Sequence, residues 1–510
     1  MLFSSNETSA TYDKPFASAE YTTNTSLRPC VSVTYSDYIA VSQVCMESGT
    51  RELSVNDTAQ LTATVVPSNA TNKNIVWTSS NSSIAAVGTT GLVCAHKPGT
   101  VTITAASAAD SSKFAVCSVT VKRPAIVIIP GIMGSELFAG EAITFLENGA
   151  VSASIPKDSK LWDPPASNPV EVALAWYKVK SLACNSNGTS INNIYAKNEN
   201  YGALSMYATL YNTLSEWYGN QYDIIYFPYD WRMSTFNAAN ALKTRLENYG
   251  SVIIIAHSMG GLVASNYLRL EGAVSKVNKL ITLGTPFLGA PKLIDVYING
   301  NVLGSFPQDL YLKITGAIPG IIPNIPSVYE LLPTKEWFTI ANKKVHGVIM
   351  KYDVPGYEDD GEVHISPSYE DTKGNLYFGL DSFNSSLFTS AESMHNSLYV
   401  GTQHITSLVD SYYIAGYNLP TITFIKTDST VSDNYYFDYE AKGDGTVPVW
   451  SANLGGLYPN KCYYAANMQH GTSNGNSLVD NTNVLALIKK IINEQLSSLP
   501  AGITQTAPVY

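Results

Sequence analysis

Two patterns of apolar residues divide this chain. From about Val31 to Lys122, apolar and polar residues alternate in short runs: Leu61, Ala63 and Val65 against Thr62 and Thr64, then Val101, Ile103 and Ala105 against Thr102 and Thr104. A period of two places one apolar and one polar face on each strand, and turn residues separate the runs, so the pattern predicts a β-sandwich. After Lys122-Arg-Pro124 the pattern changes. Ala125–Ile129 and Val252–Ile255 are continuous apolar runs, as in strands covered on both faces; Asp223–Phe227 and Val277–Leu283 are further strand candidates, while Phe236–Tyr249 and Gly261–Leu270 have helical spacing. Strands that alternate with helices predict a mostly parallel sheet. The stretches near 138–205 and 287–339 are expected to be long, irregular lid or cap insertions, and a closing helix is expected over Leu478–Leu499.

The chemistry gathers where a buried strand meets a helix. Val252 to Ile255 leads through Ala256 and His257 to Ser258, and Met259-Gly-Gly261 opens the helix. A serine on such a sharp turn needs small neighbours two positions away, which Ala256 and Gly260 provide. A serine hydroxyl is a poor nucleophile unless a histidine takes its proton and an acid orients that histidine. Downstream, Asp444 lies in the turn Gly443-Asp-Gly-Thr-Val-Pro448 and His470 follows the run Tyr463-Tyr-Ala-Ala466, giving the chain order serine, acid, histidine. In isolation Asp444 reads as an ordinary turn residue and His470 as a surface-loop histidine; together and in order they are the candidate acid and base. His257 is expected to face the sheet as part of the turn. The amide of Met259 is one candidate oxyanion donor. The second is expected from Pro130-Gly-Ile-Met-Gly134, at Ile132 or, failing that, Met133. Trp162, Trp231, Ile318 and Ile321 are the candidate substrate or lid residues. The proline-stiffened stretch Ile318–Pro326 suits either an acyl pocket or ordinary cap packing.

Six blocks stand in a fixed order: Pro130-Gly-Ile-Met-Gly-Ser-Glu-Leu137, Tyr229-Asp-Trp-Arg232, Ala256-His-Ser-Met-Gly-Gly261, Gly284-Thr-Pro-Phe-Leu-Gly-Ala-Pro291, Pro326-Ser-Val-Tyr-Glu-Leu-Leu-Pro333 and Gly443-Asp-Gly-Thr-Val-Pro448. In these the chain resembles the lecithin:cholesterol acyltransferase family, which includes lysosomal phospholipase A2 and phospholipid:diacylglycerol acyltransferase. The resemblance implies an α/β-hydrolase fold with lid or cap insertions, with Ser258 as nucleophile, Asp444 as acid, His470 as base, and Ile132 with Met259 as oxyanion amides. It also implies a glycerolipid or membrane-interface substrate. The animal members close an early membrane-binding loop with a cysteine pair, and no such close pair stands here. Asp230 and Arg232 are expected to brace the loop as an ion pair. The first run, through Asn-Ile-Val-Trp-Thr-Ser-Ser-Asn81, Gly91-Leu-Val93 and Pro98-Gly-Thr-Val-Thr-Ile103, is similar to the bacterial immunoglobulin-like group 2 domain, with Trp77 as a core residue. That likeness implies a small all-β immunoglobulin-like sandwich serving as an extracytoplasmic spacer or as a module contacting surface carbohydrate or the cell wall. The expected division is a polar segment over 1–30, the sandwich over 31–122 and the catalytic domain over 123–510.

Composition narrows the alternatives. The chain has 510 residues, 45% hydrophobic and only 14% charged, enough for two folded cores. A net charge of -10, without a basic run, lacks the electrostatic footprint of a nucleic-acid partner. The six cysteines form no C-x-x-C pair, and the histidines show no paired metal spacing, so neither metal nor cofactor is expected. No apolar run reaches the roughly 20 residues that span a bilayer. Residues 1–30 hold no apolar leader core; the appended immunoglobulin-like module nevertheless makes an extracellular or cell-surface location the expectation, with the export signal already removed. Two functions remain open: a serine-dependent lipid acyl-ester hydrolase or O-acyltransferase, and a surface adhesion or binding protein carrying an inactive hydrolase-fold domain.

Overall fold

The computed structural model describes residues 12–15, 30–33, 37–163, 169–299, 320–341, 350–352, 369–370, 373, 382–427, 435–472 and 474–508. The chain forms two compact units, Met1–Arg123 and Pro124–Tyr510.

In the first unit the alternating pattern builds stacked sheets. One sheet orders the strands Thr50–Ser54, Phe114–Lys122, Gly99–Ser107 and Ile75–Ser79. Val101 lies opposite Val119 and Ile103 opposite Cys117. These four are buried with Leu53, Leu61 and Val93, while on the outer face Thr100 and Thr120 share a 3.2 Å hydrogen bond. Trp77 is half-buried against this core.

In the second unit seven strands form one sheet, in the order Asp223–Tyr226, Ala125–Ile129, Val252–His257, Val277–Leu283, Asp410–Tyr417, Cys462–Ala466 and Ile503–Thr504. The first six are parallel, and the edge strand Ile503–Thr504 is antiparallel. Each residue of Ala125–Ile129 and of Val252–His257 is buried. Ile254 and Ala256 pack on one face of the sheet; Ile253 and Ile255 pack on the other with Tyr207 and Leu485. This is an α/β-hydrolase fold: helices cover both faces and the connections at the carboxyl ends of the strands carry the insertions.

Those insertions are more regular than their sequence suggested. Between the first two strands in chain order lie a three-stranded sheet (Lys160–Trp162, Glu136–Ala139, Ile194–Lys197), the hairpin Ile143–Glu147 with Ala150–Ile155, and the helix Pro169–Lys180. The strands are three to six residues long, too short for a period to stand out from the turns around them. The second insertion, between Leu283 and Asp410, contains the helices Lys292–Asn299, Pro326–Glu330, Lys335–Ala341 and Ser385–Asn396. Glu330 pins it to the sheet domain. Its buried carboxylate accepts hydrogen bonds from Ser234 Oγ at 2.6 Å, Thr235 N at 2.9 Å and Thr235 Oγ1 at 2.6 Å, at the start of the helix Thr235–Leu246. Arg232 is also fully buried. It chelates Asp230 (Nε–Oδ1 2.9 Å, Nη2–Oδ2 2.6 Å) and donates to the Leu182 carbonyl and Ser190 Oγ, so the pair braces the first insertion. The closing helix is shorter than expected. It runs Thr482–Ile492, capped by the Asn481 side chain and ended by Glu494 in a left-handed conformation (φ 58°).

Among the described residues no helix is long and apolar enough to cross a membrane, and Cys45, Cys94, Cys117, Cys184 and Cys462 are thiols rather than disulfides.

Candidate active site

The strand Val252–His257 ends directly at Ser258, and the helix Gly260–Leu268 begins two residues on. To turn that abruptly Ser258 adopts φ 53°, the left-handed region that costs a side-chain-bearing residue about 1–2 kcal/mol. Neighbouring backbone bonds hold it there: Ser258 N donates to the Leu283 carbonyl and Gly261 N to the Ser258 carbonyl, both at 2.9 Å. A Cβ at position 260 would collide with the carbonyls of Ile129 and Pro130, which is why the turn takes glycine there. Ala256 causes no such conflict. It is buried within the sheet, opposite Ile129 and Thr282.

Two strands further along, Asp444 and His470 come in from separate loops. His470 Nε2 lies 2.8 Å from Ser258 Oγ, and His470 Nδ1 lies 2.7 Å from Asp444 Oδ2. Asp444 is buried. Its Oδ1 accepts from the amides of Thr446 (3.0 Å) and Val447 (2.7 Å), which leaves Oδ2 for the imidazole. The backbone joins the two loops as well, His470 N donating to the Asp444 carbonyl at 2.9 Å. With Nδ1–H donated to the carboxylate, Nε2 is left as an acceptor for the serine hydroxyl. Residues 212 positions apart in sequence thus form one hydrogen-bonded line.

The loop after Ile129 lies against the serine. A Cβ on Gly131 would stand 2.7 Å from Ser258 Cβ, so only glycine allows this approach. Pro130 has no N–H, Gly131 N donates to Tyr207 Oη at 2.9 Å, and Gly134 N donates to the Gly131 carbonyl at 3.1 Å. The amides of Ile132 and Met133, and that of Met259 after the serine, have no partner among the described residues. Met133 is itself left-handed (φ 60°), and its carbonyl accepts from Trp162 Nε1 at 2.7 Å.

Next to this loop opens an apolar pocket, lined by Ile132, Met133, Trp162, Trp231, Ile321 and Val328 among others. Three of the four residues expected at the substrate or lid therefore meet there: Trp162 and Trp231 in edge-to-face contact at 5.4 Å, and Ile321 across from them. Ile318 lies outside the described residues. The pocket's free volume is about 30 Å³, no more than about two waters. A fatty acyl chain enters only if the lining parts.

His257 lies on the sheet face of Ile253 and Ile255, as expected, and its ring is engaged at both nitrogens besides: Nδ1 lies 2.8 Å from Tyr207 Oη and Nε2 lies 2.9 Å from the His470 carbonyl. Burial, then the neighbouring His470, hold its imidazole well below the usual histidine range, so it stays neutral. Sequence reasoning missed Tyr207 altogether; one tyrosine among 33 gives no local signal. Among the described residues no group of three or more His, Cys, Asp or Glu side chains is arranged to hold a metal ion.

A serine on a strained strand-to-helix turn of a mostly parallel sheet, facing an imidazole–carboxylate pair from later strands, defines the α/β-hydrolase class. Residues 190–376 match the family model of lecithin:cholesterol acyltransferase, and residues 40–118 that of the bacterial Ig-like domain (group 2). The chain is thus similar to the lecithin:cholesterol acyltransferase family over part of its second unit and to the bacterial immunoglobulin-like domain within its first. It is similar to Phospholipase A(1) LCAT3 of Arabidopsis thaliana, 32% identical over 124 residues that cover 22% of this chain and 28% of that protein. It is also similar to GPI inositol-deacylase A of Yarrowia lipolytica, 32% identical over 119 residues (20% of this chain, 11% of that protein). An uncharacterized protein of Clostridium acetobutylicum is 38% identical over 105 residues (21% and 11%). The matched segments thus span between 11% and 28% of these relatives. Among solved structures, a chain of the Tle4–Tli4 complex aligns with 74% of this chain and 99% of its own length, at 14% identity and a TM-score of 0.46.

Proposed function

We propose that this protein is a serine-dependent lipid acyl-ester hydrolase or O-acyltransferase. Ser258 Oγ attacks the ester carbonyl as His470 Nε2 takes its proton, while Asp444 holds the imidazole in the required tautomer and stabilises its charge. The tetrahedral oxyanion is received by the amides of Ile132 and Met259. The carbon–oxygen bond to the leaving alcohol then breaks, the alcohol departs with the proton from His470, and an acyl-enzyme remains on Ser258. Water next gives a fatty acid; a second alcohol gives a new ester. The observation that carries this reading is the line Ser258 Oγ–His470–Asp444 at 2.8 and 2.7 Å. The uncommitted amides beside the serine and the adjoining apolar pocket agree with it, as does similarity to a phospholipase and a deacylase. On this reading residues 123–510 are the catalytic domain, Trp162, Trp231 and Ile321 line the acyl site, and the module at 31–122 holds the enzyme at an extracellular or cell-surface location.

The test uses p-nitrophenyl esters of short and long acids and a phospholipid, with and without an alcohol acceptor, beside Ser258→Ala. Wild type is expected to release acid, or to form new ester when the acceptor is present, while Ser258→Ala falls by at least about 10⁴-fold. Equal inertness of both proteins across these substrates refutes the proposal and leaves a binding protein.

A further inference from the structure

The pair Tyr207–His257 lies behind the reacting atoms and joins two loops that come from distant parts of the chain. Tyr207 Oη accepts the Gly131 amide at 2.9 Å, so its own hydrogen is directed to the other nearby acceptor, His257 Nδ1 at 2.8 Å. His257 Nε2 faces the carbonyl of His470 at 2.9 Å. A carbonyl only accepts, so Nε2 carries the ring proton, and both nitrogens of the neutral imidazole are satisfied. The full line is Gly131 N–H to Tyr207 O, Tyr207 O–H to His257 Nδ1, and His257 Nε2–H to His470 O. Tyr207 is fully buried and His257 nearly so, and among the described residues no other side chain is hydrogen-bonded to either His257 nitrogen.

We infer that His257, with Tyr207, is a positioning residue for the acyl-transfer step, fixing the backbone that carries the base His470 against the loop that presents the Ile132 amide. The inference rests on the triad reading above. Each end of the line has a geometric consequence. At the Gly131 end, Tyr207 draws that amide away from the serine and leaves the loop's next N–H groups uncommitted. At the other end, the bond to the His470 carbonyl adds to the Asp444–His470 backbone bond, so the base loop is held at its carbonyl, at its amide and at its ring. A base held on one side only can swing, and a shift of about 1 Å at a proton-transferring group lowers rates severely while leaving substrate binding untouched.

The experiment compares wild type with Tyr207→Phe, His257→Gln, the double variant and Ser258→Ala. The substrates are p-nitrophenyl butyrate and an alkyl butyrate; rates of the proteins that keep Ser258 are expressed per active site titrated with a fluorophosphonate, and that of Ser258→Ala per mole of protein. Tyr207→Phe and His257→Gln are each expected to lower kcat about tenfold with KM unchanged. The double variant is expected to be no worse than the poorer single, as for parts of one unit. His257→Gln is further expected to penalise the alkyl ester more than the p-nitrophenyl ester, because an alkoxide must receive its proton from His470 while p-nitrophenolate leaves without one. A loss from general loosening would strike both substrates equally. Single-variant rates within twofold of wild type, additive losses, or equal penalties on the two leaving groups overturn the inference, and an inert Ser258→Ala then shows that the triad reading survives. Full activity of Ser258→Ala overturns that reading and this inference with it. Should Tyr207→Phe fail to fold, the leaving-group comparison on His257→Gln decides alone.

Discussion

The polar cluster at the ends of the sheet strands and the apolar pocket beside it share the loop Gly131–Met133 but are built in opposite ways. Around Ser258 both His470 nitrogens, both Asp444 oxygens and both His257 nitrogens have partners, and the strand that leads through His257 to Ser258 is buried along its length. The pocket's walls come mainly from the two insertions, its described lining is almost wholly apolar, and the buried indole nitrogen of Trp231 has no hydrogen-bond partner among the described residues. Its 30 Å³ of free space is too small for the chain it is proposed to take. On the proposed reading, the contrast teaches that the reactive geometry is finished before substrate arrives, while the acyl site is completed by its occupant. Hydrogen bonds have narrow distance and angle optima and hold one arrangement; apolar contacts tolerate rearrangement at small cost.

The contrast can be broken in three ways. Asp444→Asn is expected to reduce turnover on the order of 10⁴-fold for short and long acyl chains alike, because the imidazole loses its tautomer and its counter-charge, which no chain length restores. Retention of more than a tenth of wild-type kcat would show that the cluster is less tightly coupled than its geometry indicates.

Acid tests both regions through stability. His257 beside the serine, and His395 and His404 in the second insertion, are all buried and held below the ordinary histidine value chiefly by burial, His404 down to about 3. An unfolded chain protonates these residues near pH 6.5 and the folded one resists, so stability is lost as pH falls below about 6.5. The slope is up to about 1.4 kcal/mol per pH unit for each histidine. Glu330, held above the ordinary carboxylate value by burial, acts in the opposite direction, as a single group against three. Denaturant midpoints at pH 7.5 and 5.5 measure the sum; equal midpoints would contradict the neutral burial of these rings.

The pocket should respond to size alone. Ile321→Trp is expected to lower kcat/KM for a long-chain ester about tenfold while that for an acetyl or butyryl ester stays within about twofold, since overfilling a packed apolar site costs roughly 1–3 kcal/mol. A loss independent of chain length would place the acyl site elsewhere.

Much of the fold was legible because its signals are local. Val252 to Ile255 is a buried strand by composition, the small residues around Ser258 mark the turn, and the sandwich follows from alternation at single-residue spacing. The insertions were read as irregular because strands as short as Lys160–Trp162 fall below the length at which a period can be recognised. The closing helix was overestimated at both ends because Leu478 and Leu499 continue its apolar pattern, whereas the Asn481 cap and the left-handed Glu494 set its ends.

By itself the sequence determined the two kinds of unit, the position of the turn and the order of serine, acid and histidine, since each depends on neighbours within a few residues. Only the tertiary structure decided that Tyr207, 50 residues before His257, would orient it, that the His470 carbonyl would accept its proton 213 residues later, and that Glu330 would cap a helix 95 residues earlier in the chain. Such partners meet only when the sheet brings distant strand ends together, and a hydrogen bond leaves no periodic trace in the sequence of either residue.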